Sequence, residues 1–397
     1  MILVLGIRMK MMTAMYTMRR GGSYDRFLMM LDAFLEKGWE VHCLSLTPIQ
    51  VQNPCFYNHI LFYPFRNKEN AMAKLTVLFF FPLWSLWIGW RNRVDLVVAF
   101  GSLYAFIQGF TKWYLTRSMV TLIRGRSSFG IKMQNSFKWA LCLNKFIENL
   151  GLHFSDRIIT NNMAARDEIL RYLGKRKNID VQVLYNDISP TNIYEPEDIS
   201  RTKDKYRIPE NGKILVTAGV LSRGKNIEAL IKCLPEIGVK NVYLLVSGEG
   251  RTEADLRYKD SLRELARESA VDKRVIFTGW LEKEELWKIY LASDLFVLPS
   301  LSEGMPNAML EALGAGLPCM GSDIPGIRDI LQHGELLFDP GDEKDLTVRV
   351  QRFFLERSLF EKVRRLCQER KEVLEFNWKD RMFEMATTGL DCVSKKS

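Results

Sequence analysis

The chain has 397 residues, too many for one ordinary hydrophobic core and enough for two domains of nearly two hundred residues each. With 47% hydrophobic and 26% charged residues it reads as globular, which excludes a disordered or fibrous chain. The formal charge of +9 is unevenly shared: residues 1–185 hold 24 lysines and arginines against 11 aspartates and glutamates, and the remainder 32 against 36.

The opening stretch is too short for the apolar core of a secretory signal and lacks a basic leader, so Ile2–Gly6 reads as a first buried strand. A helical pattern over Tyr24–Lys37 follows, then apolar runs at Glu40–Leu46, Val94–Phe100, Met119–Ile123 and Arg157–Asn161. Such alternation argues for a parallel sheet covered by helices. Within it, residues 75–90 are dense in aromatics, flanked by Lys74, Arg91 and Arg93, and interrupted by Pro82. The segment falls short of a transmembrane span. It fits either a buried core helix or an interfacial helix that dips Phe79, Phe80, Trp84 and Trp87 into a bilayer.

Around Tyr185–Arg207 the chain turns polar and Pro-bearing, as a linker would. A second series then begins, with strands at Ile214–Ala218, Val242–Ser247, Arg274–Thr278, Leu295–Leu298 and Pro318–Gly321. Amphipathic helices such as Ile227–Leu234 and Asp260–Ser269 separate them. The fold class is therefore α/β: two Rossmann-like, doubly wound parallel-sheet domains facing across a cleft, with ligands expected beyond the carboxyl ends of the strands. The expected boundaries are 1–188, 189–375 and a last helical segment, 376–397, packing back toward the first domain.

The seven cysteines are scattered, odd in number and never spaced as Cys-x-x-Cys. Neither a disulfide framework nor a zinc site follows, and a reducing cytoplasm is the simplest home. His42, His59, His153 and His333 are dispersed, no Asp-x-Asp tripeptide occurs, and nothing resembles a Ser-His-Asp set, so no metal or other cofactor is expected. The basic first half favours a polyanionic partner such as a headgroup or a lipid pyrophosphate. No recognisable nucleic-acid module accompanies it, so no nucleic-acid partner is expected.

The densest chemical signal is Ser302-Glu303-Gly304-Met305-Pro306-Asn307-Ala308-Met309-Leu310-Glu311, directly after the apolar strand Leu295–Leu298. Pro306 suits the first turn of a new helix, and a glycine beside a helix start lets bare backbone N–H groups approach a phosphate. Glu303 and Glu311 stand about 12 Å apart along a helix at 1.5 Å per residue. Two carboxylates so separated cannot share one proton or metal, but they can grip opposite ends of an elongated ligand. A second signal, Thr217-Ala-Gly219-Val-Leu-Ser-Arg223-Gly224-Lys225-Asn226, puts two cations after another strand. Cations there stabilise the charge that builds on a departing diphosphate.

These runs, with Ser247-Gly248-Glu-Gly250, Phe277-Thr-Gly279-Trp280-Leu281, Ala292–Ser300 and Ser322-Asp-Ile-Pro-Gly326, resemble the retaining GT-B glycosyltransferases of family 4. The likeness is strongest from Ile214 to Asp342; Gly21-Gly22, Ser155–Ile159 and Val183-Leu-Tyr-Asn186 carry it more loosely in the first half. The resemblance implies transfer of a sugar from a UDP- or GDP-sugar, without a metal, to a glycan or lipid-linked acceptor in envelope polysaccharide synthesis. The enzyme would sit in the cytoplasm, peripheral on the inner face of the membrane. It implies Lys225 on the diphosphate, Glu303 beside the donor sugar, the Gly304-Met305-Pro306-Asn307 backbone along sugar and phosphate with N–H groups from all but the proline, and Glu311 on the ribose. Gly219 and Gly248 line the same donor site, Trp280 and Leu281 contact the base, and Gly21 and Gly22 approach from the other domain. The family often has Arg where Val220 stands, so either Arg223 supplies that cation or the site needs none. It commonly has His where Arg124 falls, and an arginine there suits an acidic sugar or an acceptor phosphate. A nucleotide-sugar epimerase of the same fold, or a basic nucleic-acid or membrane-binding protein, are the competing readings.

Overall fold

The computed structural model describes residues 8–16, 22–63, 71–115, 118–124, 138–174, 179–188 and 196–390. The chain divides into two compact units, Met1–Tyr185 with Asn377–Ser397, and Asn186–Phe376.

The first unit runs β1 (Lys10–Ala14), α1 (Gly22–Glu36), β2 (Glu40–Ser45), β3 (Phe56–Ile60), α2 (Ala71–Asn92), β4 (Leu96–Phe100), α3 (Ser102–Leu115), β5 (Ser118–Ile123), α4 (Lys138–Phe154), β6 (Arg157–Thr160), α5 (Met163–Leu173) and β7 (Asp180–Val183). Its seven described strands are all parallel, in the order β3-β2-β1-β4-β5-β6-β7, with Met11 facing both Val41 and Leu96 in register. All five residues of β4 are buried, because a parallel strand covered on both faces must be apolar at every position rather than alternately.

The expected strand Ile2–Gly6 lies outside the described residues, as does Gly21. The first described strand, Lys-Met-Met-Thr-Ala, escaped notice because its methionines are better helix formers than strand formers. The edge strand β3 also escaped, since an edge needs no apolar run and Tyr57 and Ile60 stay exposed. Pro82 does not interrupt α2, which continues through it for 22 residues. The missing backbone donor is offset by packing: Val77, Phe81, Ser85 and Ile88 are buried, and the Ser85 hydroxyl meets that of Thr111 on α3 at 2.7 Å.

The second unit runs α6 (Pro196–Lys205), β8 (Lys213–Ala218), α7 (Ile227–Glu236), β9 (Val242–Ser247), α8 (Glu253–Glu268), β10 (Val275–Gly279), α9 (Lys283–Ala292), β11 (Leu295–Leu298), α10 (Asn307–Gly314), β12 (Cys319–Ser322), α11 (Pro325–Leu331), β13 (Leu337–Phe338), α12 (Glu343–Leu355) and α13 (Arg357–Leu374). Six parallel strands lie in the order β10-β9-β8-β11-β12-β13. The polar stretch read as a linker carries α6, which opens on Pro196 as helices often do.

Asn377 returns the chain to the first unit, where α14 (Trp378–Thr387) packs on α1. Phe383 sits edge-on to Phe34 and Trp39, at 5.3 and 5.8 Å between ring centroids, and Lys37 pairs with Asp380 at 2.7 Å. Among the described residues six cysteines are free thiols, and no helix is long and apolar enough to cross a membrane.

Candidate functional site

In the second sheet β8 lies between β9 and β11, so the chain reverses its direction of travel across the sheet at the β8–β11 pair. Loops leaving neighbouring strands at such a point diverge and leave a crevice at their carboxyl ends. Both chemical signals fall there. After β8, residues 219–222 lead into a single tight turn, Arg223–Lys225, and α7. After β11, residues 299–306 lead into α10, with Pro306 as its N-cap. The N–H of Leu301 donates to the carbonyl of Gly224 at 2.8 Å, tying the two loops together.

Lys225 and Glu303, 78 positions apart, meet here: the ammonium donates to Glu303 Oε1, with 21% and 13% of the side chains exposed. Ser300, fully buried, donates its hydroxyl to the same carboxylate oxygen at 2.8 Å. The Lys225 ammonium also faces the Gly219 backbone across a small hollow lined by Thr217, Gly219, Leu221, Lys225 and Ser247. The ammonium is thus partly dry and positioned by one carboxylate, which balances its charge until an anionic ligand competes for it.

The strand ends on the β8 side of the crevice are bare backbone. Gly219, Gly248 and Gly279 end the adjacent strands β8, β9 and β10, all with positive φ, at 141°, 138° and 75°. At Gly248 a side chain is impossible, since a Cβ would lie 2.9 Å from the Gly219 carbonyl carbon and closer still to its oxygen. Gly326 does the same under the second loop. A Cβ there would lie 2.6 Å from the Glu303 carbonyl oxygen and 2.7 Å from the Gly304 carbonyl carbon, so α11 abuts the loop backbone directly.

Asn186 holds that loop from the other side. Its backbone N–H donates to Met305 Sδ at 3.0 Å, and its side-chain amide donates to Asn307 Oδ1 at 3.0 Å and to the Met305 carbonyl at 3.5 Å. Asn186 and Met305 are both buried. Sequence reading placed Asn186 only as the end of a loosely matched motif; nothing local marks it as a partner of residues 119 and 121 positions away.

The other expected residues are spread around this centre. Glu311 lies further along α10, half-buried, near the Tyr290 hydroxyl, whose pKa is pushed up by burial first and by the Glu311 charge second. Trp280 follows Gly279 and is 57% exposed, with the Arg251 guanidinium 5.9 Å from its ring centroid; Leu281 is half-buried beside it. Arg223 is not brought to Glu303. Its guanidinium stands over the Tyr258 ring at 5.9 Å, so the two cations of the turn serve different partners. Glu249, next to Gly248, is gripped by Lys259 at 2.7 Å, which holds its carboxyl below the usual range.

Gly22 and Arg124 belong to the first unit. Gly22 opens α1, whose start follows the carboxyl end of β1. Arg124 directly follows β5 and is half-buried; burial first, and then the Arg26 guanidinium, bring its pKa down to about 9. Arg26, itself buried, stands over the Trp378 ring at 5.3 Å.

Residues 198–372 match the model of the family described as glycosyl transferases group 1. An uncharacterized glycosyltransferase of Methanocaldococcus jannaschii is 29% identical over 192 residues, 47% of this chain and 47% of that protein. The chain spans about half the length of the first curated relatives it matches. Over its whole length it is similar in structure to Anabaena HepE, solved in complex with UDP-glucose, with a TM-score of 0.73 at 16% identity, covering 98% of this chain and 100% of that one. WaaG, a glycosyltransferase involved in lipopolysaccharide biosynthesis, gives a TM-score of 0.70 at 15% identity, covering 96% and 100%. The fold is thus the GT-B fold of these proteins, and residues 198–372 are similar to the glycosyl transferases group 1 family.

Proposed function

We propose that the chain is a retaining glycosyltransferase that moves a sugar from a UDP- or GDP-sugar to a glycan or lipid-linked acceptor in envelope polysaccharide synthesis. The observation that carries this reading is the Lys225–Glu303 pair, seated over glycine backbone at the β8–β11 crossover. HepE supports a nucleotide-sugar donor through the UDP-glucose in its structure, and WaaG supports an envelope glycan through its stated pathway.

On this reading the Lys225 ammonium takes the diphosphate, and N–H groups from Gly304 to Asn307 approach the sugar and its phosphate. Glu303 accepts from a sugar hydroxyl, Glu311 from the ribose, and the Trp280–Leu281 stretch borders the base. The bond between the anomeric carbon and the diphosphate oxygen breaks, and the acceptor oxygen bonds that carbon on the same face. The acceptor's proton passes to the departing diphosphate. Charge accumulates on that diphosphate in the transition state, so an ammonium seated there lowers the barrier selectively. Positioning of two reactants supplies the rest, and no metal is invoked. The basic first half, with Arg124, would receive an anionic acceptor at the inner membrane face.

A panel of UDP- and GDP-sugars is expected to raise the melting temperature of the wild type for one donor class, by mass action on the native state. Lys225→Ala should remove that shift and lower transfer by about a hundredfold or more, and the product should keep the donor's anomeric configuration by proton NMR. A variant that is stabilised and active like the wild type would refute the site.

A further inference from the structure

The sequence of α2 is apolar on every side, and the structure shows that it serves two different surroundings. Five large apolar residues are exposed: Phe79 at 67%, Phe80 at 58%, Leu83 at 68%, Trp87 at 49% and Trp90 at 63%. At about 100° per residue these five fall within an arc of about 100°, and the buried Val77, Phe81, Ser85 and Ile88 occupy the opposite arc. The exposed stripe extends for about 16 Å along the helix axis, the length of eleven steps of 1.5 Å. Trp84 is not part of it, being half-buried with its ring 5.9 Å from that of Phe81. On α3, which is held against α2 by the Ser85–Thr111 hydrogen bond, Tyr114 is a further 70% exposed.

A contiguous stripe of this kind on a soluble surface marks a contact, since scattered apolar residues alone would not align on one helical face. Its charges identify the partner. Neither α2 nor α3 contains a single carboxylate, while α2 carries Lys74 and Arg91, with Arg93 just beyond. Arg91 lies with its guanidinium 5.5 Å from the centroid of the Trp87 ring, so a cation sits at the edge of the apolar stripe. A second copy of this chain would set these cations against like cations with no acid to neutralise them. A bilayer surface with anionic headgroups presents the complementary arrangement, an acyl layer for the aromatics under phosphates for the arginine. A helix too short in apolar length to cross lies flat in that interface.

We propose that the Phe79–Phe80–Leu83–Trp87–Trp90 face of α2 is a docking surface for an anionic lipid bilayer, with Arg91 on the phosphates. The purpose of this docking rests on the lipid-linked acceptor reading above: it would hold the acceptor-binding unit where such an acceptor's headgroup emerges.

The test is cosedimentation of the full chain with vesicles of phosphatidylcholine alone and of phosphatidylcholine mixed with phosphatidylglycerol. Wild type is expected to bind the mixed vesicles. Phe79→Ser, Leu83→Ser and Trp90→Ser combined should lower partitioning by on the order of a hundredfold at an unchanged melting temperature. Arg91→Glu should weaken binding to the mixed vesicles alone. Phe81→Ser, on the buried face, should instead lower the melting temperature, which separates lipid contact from core packing. Equal binding by the triple variant and the wild type would overturn the proposal. So would a wild type that ignores both vesicles, or one that dimerises through this face while ignoring them. Donor-induced stabilisation without vesicles is measured alongside. Its loss would count against the transferase reading, and its presence without vesicle binding would count against the docking surface alone.

Discussion

Replacing Gly326 by alanine perturbs the candidate site without touching any of its polar groups. The residue lies at the second position of α11, and its φ is not positive, so alanine meets no conformational penalty there. The whole effect is steric. A Cβ would stand 2.6 Å from the Glu303 carbonyl oxygen and nearer to that of Gly304, and both are backbone atoms that cannot rotate away. Reaching ordinary contact near 3.4 Å requires the loop or α11 to retreat by roughly 1 Å, the scale at which misplacement of reacting groups costs about a hundredfold in rate. Overpacking of this kind costs about 1–3 kcal/mol of stability. Gly316→Ala is the control: its φ of 75° is strained for alanine, but the space around it is open, so it should lose about 1 kcal/mol and keep donor binding. The assay is sugar transfer and donor-induced melting shift for the donor that best stabilises the wild type. Transfer by Gly326→Ala within a few-fold of the wild type would show that the Glu303–Gly304 backbone position does not matter, and the reasoning would fail.

Asn186→Ala removes the side-chain donor to Asn307 Oδ1 and the Met305 carbonyl while sparing the backbone bond to Met305 Sδ. It should cost about 1–3 kcal/mol of stability, the usual result of stranding a buried acceptor, and raise the donor KM more than it lowers kcat. An unchanged KM would remove Asn186 from the positioning of this loop. In the first unit, His42 Nδ1 and His59 Nε2 share one hydrogen bond at 3.0 Å, and burial, with the charges of His59 and Lys10, lowers the His42 pKa to about 4. Because the folded value lies below the unfolded 6.5, the unfolded chain takes up the proton first, and stability falls as pH drops from 6.5 toward 4. A shift of that size is worth about 3 kcal/mol. Thermal unfolding between pH 7 and 4.5 should show the loss in wild type and a flatter slope in His42→Gln; parallel slopes would contradict it.

What could be read from the sequence divides along physical lines. Strands such as Leu96–Phe100 and Leu295–Leu298 were legible because burial on both faces forces a continuous apolar run, which no competing local preference imitates. Phe56–Ile60 and Asp180–Val183 were not, since an edge strand is half solvated and its composition resembles a loop. Lys225 and Glu303 were legible one at a time, as charged residues just past apolar strands. Their contact was not, because it depends on β8 and β11 becoming neighbours, a matter of sheet order that no local spacing encodes. Ser300, Asn186 and Gly326 stood in recognisable motifs, but their contacts were illegible for the same reason: each acts on a loop of the site through the tertiary fold. Arg223 shows the converse, a charge well placed in sequence that the tight turn directs onto Tyr258.

The pairing of Lys225 with Glu303 also bears on selectivity. A lone ammonium over bare glycine backbone would attract any small anion, and inorganic phosphate would compete directly with a nucleotide sugar. With Glu303 beside it the local charge is nearly balanced, so a simple anion gains little and meets the carboxylate's repulsion. A ligand that offers a diphosphate to the ammonium and hydroxyl donors to the carboxylate satisfies both at once. Ser300, already donating to Glu303, keeps the carboxylate partly satisfied while the ammonium turns to the phosphate. On the proposed reading, then, the ion pair is the element that demands a sugar and a diphosphate in one molecule, and each half of the donor is needed to release the other's partner.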